Sequence, residues 1–391
     1  MSYDKISLKK HRDLCGKIGI TCKAKIKSAD DLATYYTPGV AAVSREIARK
    51  KCKVWDYTMR ANSVAVISDG SAVLGLGNIG PEAAQPVMAG KALLFKEFAN
   101  IDAYPIVLNT QDAKEIIKTI KYLAPTFGGI NLEDISAPRC FEIENELQEI
   151  GIPVMHDDQH GTAVVVLAGL INATKVVGKK LQNCKIVING LGAAGTAVTL
   201  MINDYSAGHA EILPLDSNGL VCGRDDINHH KKTVCNLVKT KIQHGGLKEA
   251  TTGADIFIGL SAPNVLKREM VASMKKNAIV FALANPTPEI SAEEAFKGGA
   301  TIYATGRSDY GNQVNNVLAF PGIFRGALDA KATKITSKMK FAAAIALASA
   351  TGKPTAKRIL PKPLEKGIAL KIASAVATQA KKEGVIRPKC I

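Results

Sequence analysis

From about residue 160 onward, short β-branched and aliphatic runs alternate with longer alanine-rich stretches whose apolar positions recur at helical spacing: "CKIVING", "AAGTAVTLMINDYSA", "HAEILPLD", then "ADIFIGLS" and "AIVFALANP". Strand, helix, strand in that rhythm predicts a parallel sheet wrapped by helices. The first half is less regular, although "ANSVAVISDG" and "DAYPIVLN" read as buried strands and "DAKEIIKTIKYLAP" as a helix. Residues 331–391 read as helical, broken at "TGKPTAKRILPKPLEKG", with an alanine-rich face that has to pack back onto the body. The pattern predicts an α/β protein of two domains: an N-terminal α/β unit over 1–160, and a Rossmann-type parallel-sheet unit over 161–391 that includes the helical tail.

Composition narrows the function classes. An apolar share of 47% over 391 residues is ample for globular cores. The longest apolar runs, "TAVVVLAGLINA" and "FAAAIALASA", fall short of the roughly 20 residues that span a bilayer. With no apolar signal core in "MSYDKISLKKHRD", a soluble cytoplasmic chain without a membrane role is expected. Eight cysteines without a C-x-x-C pair read as mostly reduced, packed thiols. The formal charge of +16 is spread in short clusters without interleaved aromatics, which are 5% of the chain. That argues against nucleic acid as a partner and for attraction of acidic metabolites or a generally basic surface.

Two stretches share a glycine spelling. "GLGAAG" follows the strand "KIVING" and opens the helix "AAGTAVTLMI", and "EILPLD" brings Asp216 to the end of the next strand. Gly190, Leu191, Gly192, Ala193, Ala194 and Gly195 therefore read as a pyrophosphate loop, with Asp216 on the ribose hydroxyls of a nicotinamide dinucleotide. Ser217 rather than arginine follows Asp216, which leans toward NAD; NADP stays open if basic residues sit nearby. "GLGNIG", residues 75–80, is followed by "PEAAQPVMAGK", with two prolines and a glycine where a long crossover helix should run. It reads as a tight turn feeding the start of a helix that carries Lys91, either as a small-anion site or as a plain structural turn.

Glu133 and Asp134 end one apolar segment, "TFGGINL", and Asp157 and Asp158 end another, "IGIPVM". Two strand ends of one sheet would bring these acids together as an oxygen site suited to Mg²⁺ or Mn²⁺; the alternative is that they cap helices or face water. "HDDQH" imitates a zinc motif that works only on a helix. Pro153 and the apolar run before it predict strand and then loop here, with the helix starting near Gly161 and the histidines as hydrogen-bonded neighbours of the acids.

Together the stretches "YYTPGVA", "ISDGSAVLGLGNIGPEAAQPVMAGKALLFK", "GINLEDI", "HDDQHGTA", "INGLGAAG", "FALANPTPE" and "TGRSDYGNQVNNVLAFPGIFRGALD" resemble the short prokaryotic-type malic enzymes over nearly the whole length. The resemblance implies oxidative decarboxylation of malate to pyruvate and CO₂ with NAD(P) and a divalent metal, in a homodimer. By position it makes Tyr36 the general acid and Lys91 the general base. It makes Glu133, Asp134 and Asp158 the metal ligands, with Asp157 beside them pairing with the lysine. Asn285 and Asn316 fall near substrate and nicotinamide, and Lys91 also contacts substrate. The chain lacks the arginine that larger eukaryotic-type relatives carry before the first glycine loop, and Gly311 stands where proline is common. A lysine titrates near 10, so the base role requires burial and a nearby cation to lower it. Two other readings share the cofactor loop: a metal-independent hydroxy-acid or amino-acid dehydrogenase, and a non-catalytic dinucleotide-binding relative.

Overall fold

The computed structural model describes residues 3–73, 75–241, 244–307, 309–388 and 390. The first sheet is formed by β1 (Ser63–Ser68), β2 (Asp102–Val107), β3 (Gly129–Leu132) and β4 (Val154–His156), in the order β2-β1-β3-β4 and parallel throughout. Every residue of β1, β3 and β4 is buried, which is why these strands read as continuous apolar runs rather than alternating ones.

The second sheet contains β5 (Lys185–Asn189), β6 (Glu211–Asp216), β7 (Gly219–Leu220), β8 (Ile256–Gly259), β9 (Ala278–Ala282) and β10 (Ala300–Thr305). Its order is β10-β9-β8-β5-β6-β7, parallel apart from the short β7. The order reverses beside β5, and a crevice at such a reversal is where ligands bind in open parallel sheets.

One helix joins the halves. Asp157–Val176 starts directly after β4 and is buried almost all round, from Gly161 to Thr174 with few interruptions, as expected of a helix apolar on every face. It lies in a single core that also holds Val64 and Val66 of β1, Ile186 of β5, Ile258 of β8 and Ala343 and Leu347 of the tail. The tail helices Ser337–Ala350 and Ile368–Glu383 complete this core, and Asn172 ties them in through the Ala348 and Ile359 carbonyls at 2.8 and 2.9 Å.

Three sequence expectations change. A helix does run over Pro81–Ala99, with Pro86 inside it; Pro86 lies on the exposed face, where water can take the carbonyl it leaves without a helical donor. The helix after β4 begins at Asp157 rather than near Gly161, because His156 already serves as its N-cap residue. The cysteines are not mostly reduced and packed: Cys52 pairs with Cys390 and Cys222 with Cys235, while Cys15 and Cys22 are exposed and Cys140 and Cys184 buried. Their Cα separations of 5.7 and 5.3 Å lie in the bridging range that sequence spacing does not reveal. No helix among the described residues is long and apolar enough to cross a membrane.

Candidate active site

The register of β3 against β4 pairs Leu132 with His156, so the residues that follow, Glu133–Asp134 and Asp157–Asp158, emerge side by side at the carboxyl edge. Glu133, Asp134 and Asp158 offer oxygens that all lie within 4.8 Å of one another. Asp134 adopts φ +54°, and its backbone N–H donates to Asp158 Oδ2 at 2.7 Å. Its own Oδ2 is buried without a partner. An oxygen-only set with an orphaned buried carboxylate fits a hard divalent cation such as Mg²⁺ or Mn²⁺.

The acids pay electrostatically for their closeness. Burial, followed by the charges of Asp158 and Glu133, pushes Asp134 up to about 9. Burial raises Glu133 to about 7 against the pull of Lys91. Asp158 is raised in the same sense, chiefly by burial. A cation among them would reverse these shifts.

Lys91, 7% exposed, projects from Pro81–Ala99 into the acids. Its Nζ stands 2.6 Å from Asp157 Oδ2, 2.8 Å from Glu133 Oε1 and 4.2 Å from the centre of the Phe320 ring. Burial alone lowers its pKa, as the base role requires, but Asp157, Glu133 and Asp158 outweigh burial and the net direction is upward. Asp157 also accepts from Asn316 Nδ2 at 2.5 Å. Asp157 therefore links the lysine to an asparagine of the second half of the chain. A side chain at Gly161 would collide with Asp157 Oδ1 and approach Asn316 Cβ, a reason for the glycine that sequence reading did not find.

In the second half, Gly190 to Gly192 lead from β5 straight into the helix Ala193–Tyr205. A Cβ at Gly190 would meet Leu260 O at 2.5 Å, and one at Gly195 would overlap the Gly190 carbonyl, whereas Gly192 faces open space. Leu191 is buried and Ala193 and Ala194 are half-buried. The loop is thus closed on the protein side and open on the side where helix N–H groups can meet a pyrophosphate. Asn285 is exposed in the segment after β9, and Gly75 of the first glycine stretch comes so close that a Cβ there would stand 2.7 Å from its carbonyl. Asn285 therefore sits where the two halves meet.

Asp216 ends β6 as expected, but its carboxylate is not free. Arg224 Nη1 donates to Oδ1 and Lys231 Nζ to Oδ2, each at 2.6 Å. Burial draws its pKa up, but these bonds and the Asn218 N–H bring the net below the ordinary value.

Tyr36 is not brought to the cluster. It follows the helix Ala29–Tyr35, is 66% exposed, and no hydrogen bond ties it to the acids among the described residues.

Other groups shape the site without having been foreseen. Buried Asp69 accepts from Arg139 Nε and Ser71 N, each at 3.0 Å, and Ser71 Oγ in turn accepts from Ser136 N at 2.9 Å. This pins the segment after β1 to the one after β3. Buried Glu144 accepts from His156 N, Gln159 Nε2 and His160 Nε2 at 3.0, 3.1 and 2.9 Å. Although burial opposes it, His160 leads the interactions that bring Glu144 down to about 2. His160 is thus a neighbour of an acid, as expected. His156 differs: both its ring nitrogens are buried without partners, Nε2 lying 3.6 Å from Asp158 Oδ2.

One sheet that ends in an acid cluster beside a buried lysine, and a second, Rossmann-like sheet whose central strand ends in a glycine loop, define a two-domain α/β architecture. The chain matches the malic enzyme N-terminal domain over residues 16–148 and the malic enzyme NAD binding domain over 159–381; it belongs to the malic enzyme family. It is 50% identical over 392 residues to the bifunctional malic/malolactic enzyme of Bacillus subtilis, covering 99% of this chain and 95% of that one. It is 51% identical over 377 residues to the NAD-dependent malic enzyme of Geobacillus stearothermophilus, covering 95% and 78%. The crystal structure of malic enzyme from Pyrococcus horikoshii superposes with a TM-score of 0.94 at 46% identity, covering 99% of this chain and 93% of the other.

Proposed function

We propose that this chain oxidatively decarboxylates (S)-malate to pyruvate and CO₂ while reducing NAD(P). The observation that carries the reading is Lys91, buried between Asp157 and Glu133 beside a clustered acid trio and tied through Asp157 to Asn316. Residues 1–160 serve as the catalytic unit and 161–391 as the dinucleotide-binding unit. A divalent cation held by Glu133, Asp134 and Asp158 would supply positive charge where the substrate's C2 oxygen becomes anionic. A dinucleotide on Gly190–Gly195 would supply the hydride acceptor, with Asn285 and Asn316 near its nicotinamide end.

Lys91 takes the C2 hydroxyl proton as the hydride leaves C2. With Glu133 and Asp158 turned to a cation, Asp157 is the principal carboxylate left on the lysine. That takes away two of the three carboxylates that raise Lys91, so burial and the cation's own charge shift it in the direction the base role requires. The β-keto acid so formed loses C4 as CO₂, the electron pair of the C3–C4 bond passes into an enolate, and Tyr36 delivers its proton to C3. A homodimer belongs to the proposal. None of the residues of Tyr3–Leu14, Ala29–Tyr35 and Val40–Arg49 is buried, and Ile20, Leu32, Tyr35 and Val40 stand exposed. A second copy covering this face would also give Tyr36 a site to serve.

The test is reduction of NAD and NADP by the purified chain with malate and Mn²⁺, with and without chelator, together with pyruvate analysis. Chelator-sensitive reduction with one pyruvate per reduced cofactor is expected, and Lys91→Ala should lower turnover about 10²- to 10⁴-fold. Metal-independent turnover would favour a plain hydroxy-acid dehydrogenase instead. Near-normal turnover of Lys91→Ala would remove it as the base.

A further inference from the structure

Asp157 and Asp158 open the helix Asp157–Val176, whose N-cap residue, His156, makes no side-chain cap bond. Gln159 stands at the third helical position, where the side chain of a capping box accepts the N-cap N–H. Here that N–H goes to Glu144 Oε1 at 3.0 Å, and Gln159 Nε2 donates to Glu144 Oε2 at 3.1 Å. His160 Nε2 stands 2.9 Å from the same oxygen. Glu144 thus grips the residue before the acid pair and the two residues after it.

The grip comes from outside the acid cluster. Glu144, 5% exposed, lies in the helix Arg139–Leu147, which is seated through the fully buried Ile143 and Leu147. The start of that helix is fixed in turn, where Arg139 reaches Asp69 at 3.0 Å. The bonds already described for the acids hold their side chains: Lys91 and Asn316 bind Asp157, and the Asp134 N–H binds Asp158. Glu144 acts instead on the turn of backbone from which both acids project. A carboxylate suits this place, because its hydrogen bonds are stronger than neutral ones and a negative charge is favourable at a helix N-terminus.

We infer that Glu144 is a positioning residue of the cation site, fixing the first helical turn so that Asp158 meets Glu133 and Asp134 while Asp157 meets Lys91. It replaces the missing cap from a neighbouring helix. Without it the three ligand carboxylates remain on the chain, but the direction of Asp158 is no longer set, and a hard cation depends on that direction. The dinucleotide loop Gly190–Gly195 makes no hydrogen bond with Glu144 among the described residues, so its ligand is spared.

The inference rests on the cation reading of Glu133, Asp134 and Asp158 and is tested with Mn²⁺ alone, without turnover. Free Mn²⁺ is followed by electron paramagnetic resonance during titration of the full-length wild type, Glu144→Gln, Glu144→Leu and His160→Ala, and NAD is titrated calorimetrically into each. Glu144→Gln keeps an acceptor for the His156 N–H and should weaken Mn²⁺ about tenfold; Glu144→Leu keeps none and should approach a loss of about a hundredfold. His160→Ala removes one bond of the three and should weaken Mn²⁺ less than Glu144→Gln, and joining the two substitutions should add little to Glu144→Gln alone. NAD affinity should change less than about twofold throughout, which also shows that each variant is folded. If Glu144→Leu does not fold, Glu144→Gln and His160→Ala still decide the matter. Equal Mn²⁺ affinity of the wild type and Glu144→Gln overturns the inference, and so does parallel weakening of Mn²⁺ and NAD, which would make Glu144 a general support of the fold. A wild type that binds NAD but no Mn²⁺ would sink the cation reading, and the inference with it.

Discussion

The stretches Gly75–Gly80 and Gly190–Gly195 share a spelling and little else. The second begins at the strand end and reaches its helix within the motif. The first begins well after β1 ends at Ser68, and its segment folds back on itself: Val73 bridges to Gly77, and the N–H groups of Ile79 and Gly80 donate to Gly70 O before the helix starts at Pro81. Their glycines answer different needs. Gly195 is required by contact with the Gly190 carbonyl, whereas Gly77, with nothing within 4 Å of a built Cβ, is required by its φ of +79°. A glycine motif identifies a phosphate loop only through the strand and helix at its ends.

The largest break in this contrast comes from Gly195→Ala. Its methyl must displace backbone, an overpacking cost of about 3 kcal/mol, which should appear as dinucleotide binding weakened roughly a hundredfold. Calorimetric titration with NAD checks this, and unchanged affinity would place the dinucleotide elsewhere.

An intermediate effect sharpens what the first half does instead. Asp134 titrates at about 9 in the folded metal-free chain against a reference value of 3.8, and Glu133 and Asp158 shift the same way. The native state thus keeps protons that the unfolded chain releases, so stability falls as pH rises from about 4 toward about 9. Melting temperatures without divalent ion should drop by several degrees between about pH 5 and about pH 8, and saturating Mn²⁺ should remove the drop by compensating the ionised acids. Parallel profiles with and without Mn²⁺ would show that the trio holds no cation.

Gly77→Ala should have the smallest effect. A left-handed position with open space around it costs about 1 kcal/mol, to be read from chemical denaturation, with NAD affinity unchanged. A large loss of NAD affinity would erase the distinction between the two stretches.

What could be read from the sequence was what local pattern determines. Buried parallel strands announce themselves as apolar runs, so the sites of Glu133–Asp134, Asp157–Asp158 and Asp216 at strand ends were legible. Their mutual arrangement was not, because it depends on the β3–β4 register and on contacts between distant segments. Asp157 meets Asn316 across 159 positions, and Arg139 reaches Asp69 across 70. The helix start at Asp157 was hidden because Pro153 and the apolar run before it argued for strand and then loop, although two acids are favourable in the first turn of a helix. Arg224 and Lys231 lie beyond Asp216 in a segment whose return to β6 no periodicity encodes.

The helix Asp157–Val176 begins with an acid of the cluster and runs through the core shared by both halves. In the language of hydrogen exchange, its interior amides are expected in the slowest cooperative unit, opening with the whole molecule, and the unburied N-terminal helices are expected to exchange first by local fraying. The acid cluster is thus anchored to the same buried core as the strand that leads into the dinucleotide loop.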